Sequence, residues 1–108
     1  MIQAEHYSYR VLWSPEDGEY VALCTEFPAL SYLHKQQAQA LSGLTQLVGD
    51  ILADMQKNDE SVPMPMMERA YSGKFTLRLP PQTHQKLALE ASEQDISLNR
   101  YICSKLTG

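Results

Sequence analysis

The chain has 108 residues, 44% of them hydrophobic and 20% charged, with a formal net charge of −4. That is room for one ordinary domain or two very small ones, and the composition excludes wholesale disorder. No apolar run approaches the ~18–20 residues of a membrane span, so no membrane partner is expected; the opening MIQAEHYSYR lacks the apolar core of a secretion signal, which predicts a cytoplasmic protein.

Residues 5–13 read as a strand, with Tyr7, Tyr9, Val11 and Trp13 alternating with His6, Ser8, Arg10 and Leu12. The run Ser14-Pro15-Glu16-Asp17-Gly18 is turn chemistry, and residues 19–25 return as a second strand with Tyr20, Val21, Leu23 and Cys24 available for a core. After Phe27-Pro28, residues 29–33 suit a short third strand. From about 36 to 57 the period changes to three and four, in Leu41, Leu44, Val48, Ile51 and Met55, with Leu47 and Leu52 widening the stripe. That pattern predicts a long amphipathic helix packed on the sheet. Val62-Pro63-Met64-Pro65-Met66 then reads as an extended, proline-limited linker.

The last third has its own pattern. In residues 73–79 Phe75, Leu77 and Leu79 point one way and Lys74, Thr76 and Arg78 the other, which predicts a strand. Pro80-Pro81 stops it and presets a helix start. A helix over about 81–94 carries Leu87, Ala88 and Ala91, and Ser97 caps a final helix that places Leu98, Ile102 and Leu106 on one face. The expected class is α+β, divided as residues 1–66, a linker at 67–72, and a C-terminal domain at 73–108. Charge follows the division. Residues 1–72 hold four Lys/Arg against ten carboxylates, net −6, whereas residues 73–108 hold five against three, net +2. An acidic body with a basic tail suits a tail that meets phosphate.

A lone strand leaves its backbone N–H and C=O groups without partners, and a 36-residue unit falls below the ~40 residues at which an isolated core becomes feasible. Two copies meet both demands. Their strands pair, and Phe75, Leu77, Leu79, Leu87, Leu98 and Ile102 form a shared core. Lys74, Thr76 and Arg78 of each copy then face outward on a ribbon that fits the DNA major groove. The segment SGKFTLRLPPQTHQKLALEASEQDISLNRYI resembles the ribbon-helix-helix (Arc/MetJ-like) DNA-binding family. The resemblance implies base reading by Lys74, Thr76 and Arg78. It also implies a phosphate clamp at Ser97, Leu98 and Asn99, where a helix N-terminus offers free amides.

Residues 9–56, from YRVLWSPEDGEY onward, together with the linker and Tyr71-Ser72-Gly73-Lys74-Phe75, resemble HicB antitoxins. That implies a degenerate, catalytically silent ribonuclease-H-like N-terminal domain. It further implies a HicA-like RNase toxin as partner, with the C-terminal domain as a dimeric or tetrameric repressor of its own promoter. The alternative is a solitary repressor whose N-terminal domain oligomerises or senses a ligand. No cofactor is expected. His6, His34 and His84 sit on separate elements, and Cys24 and Cys103 match no metal or redox spacing. Asp17, Glu19, Glu26, Asp50 and Asp54 do not converge as nuclease metals require, so the expectation is a binding protein and not an enzyme.

Overall fold

Tyr9–Ser14 (β1) and Glu19–Cys24 (β2) form an antiparallel hairpin, and Ser31–His34 (β3) adds to the free side of β2. The turn works because Gly18 adopts φ +63°, and its N–H donates to the Ser14 carbonyl at 2.9 Å. The Ser14 hydroxyl donates to Asp17 at 2.8 Å. These strands and the helix Gln37–Lys57 (α1) appear in a computed structural model that describes residues 2–108. The architecture is α+β, with one three-stranded antiparallel sheet and three α-helices. The chain separates into two compact units, one ending at Tyr71 and the other Ser72–Gly108. No helix among the described residues is long and apolar enough to cross a membrane.

In the first unit α1 covers one face of the sheet. The core is Tyr7, Ala22 and Cys24 from the sheet side and Ala40, Leu44, Val48 and Leu52 from the helix. Two expectations shift here. The fully buried row of α1 is Ala40-Leu44-Val48-Leu52, spaced four apart, and Leu41 is exposed. On β2 the inward residues are Ala22 and Cys24, so Val21 and Leu23 lie on the face away from the helix. The physical reason is the close approach of helix to sheet: a methyl group on Gly43 would overlap the ring of Tyr32. Only small side chains fit at that crossing, which is why Ala40 and Ala22 occupy the centre.

Residues 62–66, expected as an extended, proline-limited linker, are docked on the first unit. The Tyr7 hydroxyl donates to the Pro63 carbonyl at 2.6 Å, and Pro65 is among the most fully buried side chains. The 3₁₀ turn Met66–Glu68 follows, with Glu68 3.0 Å from the His6 ring.

The second unit contains Pro81–Glu93 (α2) and Leu98–Thr107 (α3). Between them Asp95 takes φ +56°, and the Ile96 N–H returns to the Ala91 carbonyl at 3.1 Å. Ser97 caps α3, its hydroxyl accepting from the Arg100 N–H at 3.1 Å. Ala91 and Tyr101 are the buried pair of this unit, and Ala88, expected on the apolar stripe of α2, is exposed. Residues 73–79, expected as a strand, form no ladder in the single chain. Their backbone bonding is confined to the Ser72 hydroxyl with the N–H and carbonyl of Lys74. Among the described residues no second strand stands beside them.

Candidate nucleic-acid interface

The segment 73–79 and α3 together make the most distinctive surface of the second unit. Phe75 is 76% exposed and Leu77 51% exposed, large values for residues of this size in a small domain. Gly73, Phe75 and Leu77 line one side of an open recess of about 620 Å³, and Leu98, Ile102 and Leu106 of α3 line the other. A smaller hollow of about 110 Å³ continues it, between Leu77, Leu79, His84, Leu98 and Ile102. Five of the six residues proposed for a shared core are thus brought together around one apolar depression. The sixth, Leu87, is half-buried on α2. Burial of such side chains is favourable by about 25 cal/mol per Å² of apolar surface, so the depression leaves unmet driving force in the single chain.

Lys74, Thr76 and Arg78 are exposed along the same segment. They are not fixed by any hydrogen bond from their side chains among the described residues. At the start of α3 the Ser97 hydroxyl engages only the Arg100 N–H, and the N–H groups of Leu98 and Asn99 have no acceptor among the described residues. Those orphan donors and the positive end of the helix dipole favour an anion. What this surface offers chemically is therefore binding: exposed cations, free amides and an uncovered apolar face.

Sequence reasoning missed the clasp that orients α3. The Tyr101 hydroxyl donates to the Glu90 carboxylate at 2.6 Å, and the Lys105 ammonium lies 5.4 Å from the Tyr101 ring centroid. The bond to Glu90, with some burial, raises the pKa of the Tyr101 hydroxyl. The signal was its position: Tyr101 lies three residues after Leu98, on the flank of the apolar stripe.

In the first unit the polar centre is Glu26. Its carboxylate accepts from the Ser8 N–H at 3.0 Å, the Ser8 hydroxyl at 3.1 Å and the Met66 N–H at 2.8 Å, with the Cys24 thiol at 3.6 Å. Burial pushes its pKa up, but the backbone donors of Met66 and Ser8 outweigh burial and hold the carboxyl below its ordinary value. Burial also raises Cys24 and Tyr7, and pushes Tyr9 up to about 12. Glu26 is fully engaged in holding chain segments together, and no group of three or more His, Cys, Asp or Glu side chains among the described residues is arranged to hold a metal. Asp17 sits in the hairpin turn and Asp50 and Asp54 on α1.

The model of the HicB family matches residues 57–106, from the last residue of α1 through the docked segment to Leu106 of α3. No curated protein and no solved structure matches the chain.

Proposed function

We propose that this chain, HicB-like over residues 57–106, is the antitoxin of a HicA/HicB-type toxin–antitoxin pair. In this proposal the second unit is a ribbon-helix-helix. Two copies pair their 73–79 segments antiparallel and close the apolar depression between them. Lys74, Thr76 and Arg78 then present a polar ribbon to the major groove, and the start of α3 holds a phosphate through Leu98 and Asn99. The first unit, a reduced ribonuclease-H-like sheet without catalysis, occupies the RNase toxin.

One observation carries the proposal. The 73–79 segment has apolar side chains around an uncovered depression and cations between them, with no ladder partner of its own. Pairing with a second copy satisfies the backbone and the apolar face in one step. The test is a mobility shift on the DNA upstream of the protein's own gene. Retardation that Arg78→Ala removes while the chain keeps its oligomeric state supports the proposal. Retardation unaffected by Arg78→Ala contradicts the ribbon assignment.

A second reading is favoured by the extent of the family match, which leaves the sheet of the first unit outside it. In that reading the chain is a solitary repressor with a first unit that oligomerises or senses a ligand. A small basic reading frame adjacent to the gene, with a product that co-purifies with this chain, decides for the antitoxin.

A further inference from the structure

Trp13 is the only tryptophan of the chain, and it is 53% exposed near the end of β1. Its ring meets that of Tyr20, its cross-strand neighbour on β2, edge-on with centroids 5.0 Å apart. The rung continues to His34 of β3. By strand alternation Tyr20 shares a face with Ala22, which α1 buries. Toward the hairpin end that cover stops: Tyr20 is half-buried against the core, and Trp13 is open. The contact with Tyr20 restrains the indole, so a partner that covers it loses little to side-chain ordering. Tryptophan and tyrosine in such positions are the residue types that carry most binding energy at interfaces.

The charge around the pair selects its occupant. Between Arg10 and Lys35 the sequence has four carboxylates and no Lys or Arg. Three of them, Glu16, Asp17 and Glu19, lie in or beside the turn that follows Trp13, and none forms an ion pair among the described residues. The turn is fixed by Gly18 at φ +63° and by the Ser14 hydroxyl, which donates to Asp17 at 2.8 Å. An aromatic pair by itself suits a nucleobase, but these carboxylates repel the phosphates that come with one. A second copy docking tip to tip would set the same three carboxylates against their own counterparts, a like-charge cost. A guanidinium meets both features. It is planar and weakly hydrated, stacks on aromatic faces and is drawn by carboxylates.

We infer that the Trp13–Tyr20 end of the hairpin is a docking point for an arginine-bearing segment of a basic protein partner, anchored on the indole and attracted by the carboxylates of the turn. The site requires neither the ribbon nor the antitoxin reading, because only the chemistry of the partner is specified.

Fluorescence of the full chain tests it, since all indole emission comes from this one position. The probes are a hexa-arginine peptide, its citrulline counterpart, hexalysine and a single-stranded oligouridine. Hexa-arginine changes the Trp13 emission saturably and at lower concentration than hexalysine, whereas the citrulline peptide and oligouridine leave it unchanged. Equal responses to arginine and lysine, a response to oligouridine alone, or no response to arginine overturns the inference. With labelled hexa-arginine followed by anisotropy, Trp13→Ala weakens binding about three- to tenfold. The control Asp54→Asn, on α1, does not; equal losses mean attraction by net charge alone and overturn the site. Should Trp13→Ala fail to fold by circular dichroism, Glu16→Gln/Asp17→Asn replaces it with the indole itself as reporter, and an undiminished response then counts against the site. Operator binding and co-purification with a toxin do not enter these measurements, so their failure and the failure of this site are separate results.

Discussion

Glu26 and Met66 lie forty residues apart and are joined by a 2.8 Å hydrogen bond from the Met66 N–H to the carboxylate. The same carboxylate holds both the backbone and the hydroxyl of Ser8. One side chain thus ties the entry to β1, the exit from β2 and the segment leading toward the second unit.

Removing that tie strands two backbone donors. Glu26→Ala is expected to cost about 1–3 kcal/mol in urea unfolding, the range for buried groups left unpaired. The loss should depend on pH with a definite sign. The folded carboxyl has a lowered pKa, so its contribution is present above the unfolded value of ~4.3 and fades as pH falls through the folded value. Melting curves of wild type and Glu26→Gln should therefore converge in acid and diverge toward neutrality. A constant difference across that window would contradict this account of Glu26.

The Gly43–Tyr32 contact yields a second prediction. In a free helix Gly→Ala gains about 1 kcal/mol, but here the added methyl meets the Tyr32 ring. Overpacking of this kind costs about 1–3 kcal/mol, so Gly43→Ala should destabilise the chain. The same change in a Tyr32→Ala background should stabilise it by about the propensity gain. A double-mutant cycle by chemical denaturation reads the reversal.

Much of the first unit was legible in the sequence because its periods are long and clean. The three-four spacing of α1 and the Pro15–Gly18 turn gave the helix and the hairpin. What escaped was the face actually buried. Ala40 and Ala22 sit at the centre because the elements approach closely at Gly43, and a hydrophobicity pattern favours the larger Leu41, Val21 and Leu23 over them. The docking of Pro63–Met66 was equally hidden, since its partners Tyr7 and Glu26 are distant along the chain. In the second unit the helices follow Pro81 and the Ser97 cap, whereas residues 73–79, expected as a strand, form none in the structure, and a partner strand for them belongs to the proposal alone.

Operator affinity should respond to Arg78 and to salt in different ways. Arg78→Ala is expected to cost about 1–3 kcal/mol on the preferred site, and less on unrelated DNA. Wild-type affinity should fall steeply with salt, because the proposed assembly would contact several phosphates. Fluorescence anisotropy at several salt concentrations, on both DNAs, separates the two effects.

Incubation of the purified chain with RNA and Mg²⁺ or Mn²⁺ should give no cleavage. The carboxylates Asp17, Asp50 and Asp54 belong to a turn and a helix, and Glu26 is occupied by backbone donors. Turnover abolished by Asp50→Asn would refute the non-catalytic reading of the first unit.

Amide hydrogen exchange across residues 74–79 tests the central proposal most directly. In a single copy these amides have no ladder acceptor and should exchange at once. In a paired ribbon alternate amides are bonded across the two-fold and should be strongly protected, with protection lost in Phe75→Glu. Slow exchange confined to that segment is the result the account predicts. Unprotected amides throughout 74–79, at concentrations where the chain is fully assembled, would contradict it.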